Sequence, residues 1–276
     1  MKKSNYYNKI AHIYDETRWL TESIAEEVAD VILTLVNATP ETSFLEPGVG
    51  TGLNIFPMVK RGYPVTGIDV SEEMLNQFRQ KFSRIHSNLR LINADVSQIP
   101  FTNWSFDVVL TVHMIHAVSD WKIFLDEIAR VLKPQGFYLY AQWDNPPARK
   151  EFQAHFQDIL ARYKGEKTST IFDSSIEQMN VKDYFCSKGY QSNYVIAKEW
   201  TVSNTVDELL EFYKSRAYGF CWQVSEKIFN LIMNDFEEFC IEYYGSLQSE
   251  LSSQAKFEIW VYHSKEIKDI AILNES

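Results

Sequence analysis

The chain of 276 residues has only three cysteines, ten glycines and eight prolines, and it lacks long apolar runs. Cys186, Cys221 and Cys240 are too widely spaced for a zinc knuckle or a Cys-x-x-Cys redox pair, so we interpret them as buried small apolar residues. No window approaches the roughly 20 apolar residues of a membrane span, and no apolar stretch follows the first residues as in a secretory signal. We therefore expect a soluble, cytoplasmic protein without a metal site.

Positive charge is also scarce, since 27 basic residues face 37 acidic ones and the net charge is -10. This balance repels phosphate backbones, so neither nucleic acid nor a membrane surface is expected as a partner. Apolar residues make up 45% of the chain, which excludes a disordered protein. We expect a globular protein whose partner is a small molecule, and its oligomeric state stays open.

The prolines all lie at or before Pro147, and turns therefore divide the first half of the chain more often than the second. Between residues 40 and 143, short apolar runs alternate with segments of helical periodicity, which favours an α/β fold with a parallel sheet covered by helices on both faces. The strand-like runs are Ser43–Leu45, Val65–Ile68, Leu89–Ile92, Phe106–Val112 and Phe137–Trp143.

The second half is predicted to be mainly helical. Thr205 and Glu208 have the spacing of a capping box, and helical periodicity continues after Ser225, which predicts two helices of about 13 and 20 residues. Strand-like segments at Tyr194–Val202 and Lys256–His263 lie on either side. The pattern predicts a helical insertion between the last two strands.

Glycines at 48, 50 and 52 follow the first predicted strand after the pair Glu46-Pro47. Glycine lets the backbone turn sharply there and lets a ligand approach the main chain closely. The Gly-x-Gly-x-x-Gly spacing of dinucleotide sites fails because residue 53 is leucine, and no Gly-Lys-Ser/Thr ending indicates a P-loop. Since Glu46 would repel a pyrophosphate, a ligand with an ammonium group is favoured.

Two further acids end the second and third predicted strands. Asp69 lies where a carboxylate can accept hydrogen bonds from both hydroxyls of a ribose, and Asp95 lies where one can accept from the amine of a base. Taken singly, each aspartate is also typical of a turn or a helix cap. Together with the glycine loop, they indicate a nucleoside site.

These residues resemble those of the class I S-adenosylmethionine-dependent methyltransferases of type 11. Residues 46–52 resemble the first motif of that family, and Asp69 and Asp95 resemble its ribose-binding and adenine-contacting acids. Residues 133–136 resemble its Lys-Pro-Gly-Gly turn, with Gln135 in place of a glycine, and Tyr6–Asp15 is similar to its leading segment. Pro57 departs from the family by falling inside the expected first helix.

The resemblance implies a Rossmann-like seven-stranded, mostly parallel sheet with a helical lid inserted between the last two strands. It implies one domain over residues 1–276, divided into an N-terminal helical cap (1–38), a cofactor-binding core (40–143) and the lid (203–250). It also implies S-adenosylmethionine as cofactor, S-adenosylhomocysteine as product and a small-molecule acceptor. The implied cofactor-binding residues are Tyr14, Glu46, Gly48, Gly50, Thr51, Gly52, Asp69, Val70, Met74, Asp95, Val96, Val112 and His113.

Two histidines follow the fourth predicted strand, where methyl donor and acceptor would meet. His116, and alternatively His113, could remove a proton from an oxygen or nitrogen acceptor near neutral pH, although a structural role is also typical of such residues. The expected substrate-binding residues are Tyr7, His116, Trp143, Arg216 and Tyr218. A cofactor-binding protein without turnover and a nicotinamide-dependent oxidoreductase are the alternative functions.

Overall fold

The computed structural model of the protein describes residues 3–82, 86–165 and 175–264. The predicted domain over 1–276 and the predicted cap over 1–38 therefore extend into residues that lie outside the described ranges, and both stay predictions.

Seven strands form a single sheet in the order β3-β2-β1-β4-β5-β7-β6. β7 runs antiparallel to both of its neighbours, and every other neighbouring pair is parallel. The predicted seven-stranded, mostly parallel sheet is therefore confirmed. The strands are β1 (Phe44–Pro47), β2 (Val65–Asp69), β3 (Leu89–Asn93), β4 (Phe106–Val112), β5 (Leu132–Trp143), β6 (Gln191–Thr205) and β7 (Glu250–His263).

The strand order reverses between β1 and β4, because the chain proceeds outward from β1 to β3 and then returns to the other side of β1. In such sheets a crevice opens beyond the carboxyl ends of the strands at this switch point. The glycine loop directly follows β1 and therefore lies at that crevice.

Nine α-helices are present among the described residues, and short 3₁₀ turns occur at Ala11–Ile13, Ile115–Ala117 and Gly219–Trp222. Helices α8 and α9 lie between β6 and β7, where the insertion was predicted. The helices are α1 (Lys3–Ile10), α2 (Glu22–Leu35), α3 (Phe56–Lys60), α4 (Glu72–Gln80), α5 (Trp121–Val131), α6 (Pro147–Lys164), α7 (Ser175–Ser187), α8 (Val206–Lys214) and α9 (Glu226–Tyr244).

Side-chain caps fix several helix starts. The Ser71 hydroxyl accepts a hydrogen bond from the Met74 amide at the start of α4, and Thr205 and Glu208 form the predicted capping box of α8. The helix expected after the glycine loop is α3, which begins at Phe56 and has five residues. Pro57 stands in its first turn, the position that proline tolerates.

Apolar side chains cover both faces of the sheet. Successive residues of a strand enter opposite layers, so that Phe44 packs with α2 and Leu45 packs with α5. A third apolar cluster joins α6, α8 and α9 and contains Phe152, Phe156 and Phe236. The inserted helices thus have a core of their own, built together with α6.

Two of the three cysteines are buried as expected, but Cys186 is exposed near the end of α7, so the prediction for that residue is wrong. No helix in the part of the chain that the structure describes is long and apolar enough to cross a bilayer.

Candidate active site

A cavity of about 1180 Å³ lies at the carboxyl ends of the parallel strands. Its lining includes residues that end or follow β1 (Gly48, Gly50), β2 (Asp69), β3 (Asp95) and β4 (His113). Binding cavities for one small ligand commonly measure about 300 to 1,000 Å³. The cavity is therefore large enough for a nucleoside-sized ligand and a second small molecule.

The glycines of the loop have positive φ angles of 74° at Gly48, 55° at Gly50 and 74° at Gly52, a region that other residues rarely adopt. A Cβ on Gly48 would lie 1.9 Å from the Met114 sulfur, and one on Gly52 would lie 2.3 Å from the Phe78 ring. A Cβ on Gly50 would meet no protein atom within 4 Å. Gly50 therefore presents bare backbone to the cavity, whereas Gly52 is required by packing and does not line it.

Asp69 lines the cavity beside this loop. Its Oδ2 accepts a hydrogen bond from the Gly50 amide at 2.8 Å, and its Oδ1 accepts one from the Ser71 amide at 2.8 Å. Burial raises the pKa of Asp69, and these two backbone hydrogen bonds oppose the increase. Since each carboxylate oxygen can accept a second hydrogen bond, the aspartate can still bind two ligand hydroxyls.

The other predicted nucleoside contacts lie along the same wall. Asp95 is exposed, and its Oδ1 accepts a hydrogen bond from the Ser97 amide at 2.8 Å. The remaining lining residues among the predicted cofactor contacts are Tyr14, Val70, Met74, Val96 and Val112.

Glu46 is buried beneath the glycine loop and does not line the cavity. Its Oε1 accepts a hydrogen bond from Asn54 Nδ2 at 3.0 Å, whereas Oε2 has no partner among the described residues. Burial raises the pKa of Glu46 to about 8, so the side chain is mostly protonated at neutral pH. The expectation that a negative Glu46 attracts a ligand ammonium group is not supported by this environment.

Thr51 is also buried and does not line the cavity. Its hydroxyl donates a hydrogen bond to Asp15 Oδ1 at 2.5 Å, and Asp15 in turn pairs with Lys81. Instead of contacting a ligand directly, Thr51 holds the N-terminal segment (residues 6–19) against the glycine loop.

The two histidines line the cavity with ring centroids 6.4 Å apart, but their environments differ. His113 has a φ of 54°, and its Nε2 lies 3.0 Å from the Trp143 carbonyl oxygen. Burial, together with the nearby His116, lowers the pKa of His113 to about 4. A neutral imidazole bound to backbone is a poor general base, which leaves His116, exposed in the following 3₁₀ turn, as the candidate.

The N-terminal segment and the loop between α8 and α9 meet over the cavity. The Tyr6 hydroxyl donates to the Ala217 carbonyl at 2.7 Å, and the Tyr218 hydroxyl donates to the Thr17 carbonyl at 3.3 Å. Tyr6 and Tyr218 both line the cavity, as do Tyr7 and Trp143. Four predicted substrate residues, Tyr7, His116, Trp143 and Tyr218, are therefore brought together.

Arg216, the fifth predicted substrate residue, does not line the cavity, so its prediction is wrong. It has a φ of 56°, and its guanidinium lies over the Phe229 ring at 4.2 Å instead of lining the cavity. A non-glycine residue with this backbone conformation aims its side chain in a direction that no periodicity indicates.

Two arginines that the sequence patterns did not indicate also line the cavity. Arg18 lies over the Tyr14 ring at 4.1 Å, and Arg149, only 8% exposed, lies over the Trp19 ring at 5.0 Å. Arg18 follows the Tyr14-Asp15 pair closely in sequence, which is a weak signal. Nothing local distinguishes Arg149 from the other basic residues of α6.

Residues 45–140 match the family model described as a methyltransferase domain. A demethylmenaquinone methyltransferase of Tropheryma whipplei is 31% identical over 170 residues, which cover 61% of this chain and 69% of the relative. A fatty-acid O-methyltransferase of Mycolicibacterium smegmatis is 32% identical over 93 residues, or 34% of this chain and 33% of the relative.

Solved structures share the fold at low sequence identity. The YcgJ protein of Bacillus subtilis has a TM-score of 0.53 and 17% identity, with 87% of this chain and 98% of that chain covered. The [4+2]-cyclase SpnF has a TM-score of 0.50 and 13% identity, with 87% and 82% covered. None of the relatives reported above is named as a nicotinamide-dependent oxidoreductase, the alternative function. From its sequence relatives, its fold and its glycine loop, the chain belongs to the class I S-adenosylmethionine-dependent methyltransferases of type 11.

Proposed function

We propose that this methyltransferase acts on a small organic acceptor with an aromatic or apolar body. The observation that carries the proposal is a single cavity, lined at one side by the glycine loop, Asp69 and Asp95 and at the other by aromatic side chains. S-adenosylmethionine, when bound, would supply an electrophilic methyl group, with S-adenosylhomocysteine as the product. The protein mainly needs to hold two ligands in line and to exclude water.

The cofactor side consists of residues with a defined task. Asp69 binds the ribose hydroxyls, Asp95 accepts from the adenine amine, and the bare backbone at Gly48 and Gly50 accommodates the amino-acid portion. Tyr14 covers this portion from the N-terminal segment. Glu46, Thr51 and Gly52 support the loop from below instead of contacting the ligand.

Replacing Gly50 with alanine is expected to weaken S-adenosylhomocysteine binding about tenfold, because the new methyl group would occupy cavity space that the ligand needs. Gly62→Ala is the matched control, since Gly62 also has a positive φ, 90°, and also has open space at its Cβ, but it lies away from the cavity. Isothermal titration should show the loss only for Gly50→Ala. Equal affinity of the two variants would contradict a close approach at Gly50.

The acceptor side is lined by Trp19, Phe152, Tyr213 and Tyr218, which favour a flat or aliphatic body. The inserted helices and the N-terminal segment contribute to this side and would keep water from the reacting groups. The relatives are named for demethylmenaquinone and for fatty acid, molecules with large apolar parts, which supports an acceptor of this kind.

His116 is the residue that we assign to proton removal when the acceptor is a neutral oxygen or nitrogen. It lies on the turn after β4, at the cavity wall, and His113 beside it stays neutral and fixes the Trp143 backbone. An acceptor that is already anionic would need no base.

The proposal is tested by incubating the protein with S-adenosylmethionine labelled at the methyl group and a small-molecule extract of cells. Label is expected in a compound below about 1 kDa that is retained by an apolar column, together with released S-adenosylhomocysteine. Asp69→Ala provides the inactive control. Tight cofactor binding with label in no small molecule would favour the alternative of a binding protein without turnover.

A further inference from the structure

We propose that the acceptor carries an anionic oxygen group, a carboxylate or a phosphate, which binds to Arg149 and Arg18 in the cavity. This inference rests on the proposed function, because it concerns the acceptor side of the same site.

Arg149 has hydrogen-bond donors left for a ligand. Its Nε and Nη2 donate to Asn204 Oδ1 at 3.1 and 2.5 Å, and its Nη1 lies 3.5 Å from the Thr17 carbonyl oxygen. A guanidinium has five N–H donors, so two remain after these contacts. Arg149 is 8% exposed and lines the cavity, so its remaining donors need a partner there.

Arg18 adjoins Arg149 through a shared residue. Its Nη1 donates to the Thr17 hydroxyl oxygen at 2.8 Å, while the Thr17 carbonyl faces Arg149. Burial is the main cause that lowers the pKa of Arg149; Tyr218 and Tyr213 oppose the decrease, and the positive charge of Arg18 adds to it. The two like charges are therefore close enough to repel each other.

Neither guanidinium forms an ion pair with an acidic side chain among the described residues. Asp144, the acid of the neighbouring cavity wall, pairs instead with Lys150 at 3.0 Å. Glu208 is linked to Arg149 through Asn204, whose Nδ2 donates to Glu208 Oε2 at 2.9 Å. Two adjacent buried cations without a direct ion pair are costly. An anionic ligand would remove this cost, and a guanidinium fork matches the two oxygens of a carboxylate or phosphate.

The location separates this anion site from the ribose site. Arg149 is on α6, which follows β5, whereas Asp69 ends β2, and three strand spacings of about 4.8 Å separate β2 from β5. The aromatic rings of the acceptor side lie beside the two guanidinium groups, since Arg149 is over the Trp19 ring at 5.0 Å and Arg18 is over the Tyr218 ring at 5.4 Å. Because the chain has a net charge of -10, an anionic acceptor needs this local positive charge to bind.

The test uses 4-fluorobenzoate, 4-fluorobenzamide and 4-fluorophenyl phosphate as probes, titrated by ¹⁹F NMR into the complex with S-adenosylhomocysteine. At least one of the two anions is expected to bind at least tenfold more tightly than the neutral amide, and the stronger anion identifies the group. Arg149→Gln should abolish the preference, and Arg149→Lys should retain part of it. Arg162→Gln, on the exposed surface of the same helix, should leave it intact.

Arg18→Gln provides a second variant if Arg149→Gln does not fold, and it should reduce the preference at least threefold. Wild-type protein without an anion preference, or a preference that persists in the Arg149 and Arg18 variants, would overturn the inference. Loss of S-adenosylhomocysteine affinity in Arg18→Gln with the anion preference unchanged would assign Arg18 to the cofactor and remove it from the anion site. The probes report binding and need no turnover. The titration can therefore fail while methyl transfer is observed, and the reverse, so the two proposals are tested separately.

Discussion

Replacing Asp69 with alanine is expected to weaken S-adenosylhomocysteine binding about 100-fold or more. Two hydrogen bonds from ribose hydroxyls to a carboxylate would be lost, and hydrogen bonds to charged groups contribute roughly 1.5 to 3 kcal/mol each. The variant also loses the acceptors of the Gly50 and Ser71 amides, which hold the glycine loop against the start of α4. Isothermal titration measures the loss directly.

Two variants show whether this effect is specific. Asp95→Ala should weaken S-adenosylhomocysteine binding about tenfold, because the exposed Asp95 would contribute one hydrogen bond. Glu73→Ala removes an exposed acid from the first turn of α4 and should leave the affinity unchanged. If Asp95→Ala weakened binding more than Asp69→Ala, the assignment of Asp69 to the ribose would be wrong.

Replacing Glu46 with glutamine is expected to change how stability depends on pH. The pKa of Glu46 is raised from 4.5 to about 8 in the folded protein, so its stabilising contribution is complete below pH 4.5 and is lost as the pH rises through 8. Glutamine does not titrate and keeps the acceptor for Asn54. Relative to wild type, Glu46→Gln should therefore gain roughly 3 to 5 kcal/mol of unfolding free energy between pH 5 and pH 9.

Urea unfolding of the ligand-free protein at pH 5, 7 and 9 measures this difference. Contributions from other titrating groups cancel, because both proteins contain them. The unfolding free energy of Glu73→Gln, a change at an exposed position, should depend on pH in the same way as that of the wild type. Parallel curves for Glu46→Gln as well would show that the carboxyl group is ionised under the loop and has a partner there.

Much of the cofactor side was predictable because its determinants are local. A glycine needed for a positive φ, such as Gly50, and an acid that ends a strand, such as Asp69, can be found from the residue type and its neighbours. Parallel strands bring such positions to one edge of a sheet, so their chain order predicts their proximity. The helix caps at Ser71 and Thr205 were predictable for the same reason.

The acceptor side was only partly predictable. Tyr218 and Trp143 were predicted from their position in the chain and line the cavity, whereas Arg216 does not line it and Arg149 was missed. The direction of a side chain from an irregular loop depends on backbone angles that long-range contacts set, as the φ of 56° at Arg216 illustrates. Similarly, the role of Arg149 depends on residues more than 50 positions away, Asn204 and Thr17.

By itself, the sequence determined the fold class, the glycine loop and the acids that follow neighbouring strands, because periodicity, turn chemistry and strand order are encoded over short distances. Only the tertiary structure decided that Glu46 is a buried, mostly protonated support and that His113 is a neutral wall residue. It also decided that two arginines share one end of the cavity. Burial and electrostatic environment arise from packing between distant segments, and they change the chemistry of a residue whose identity the sequence already gives.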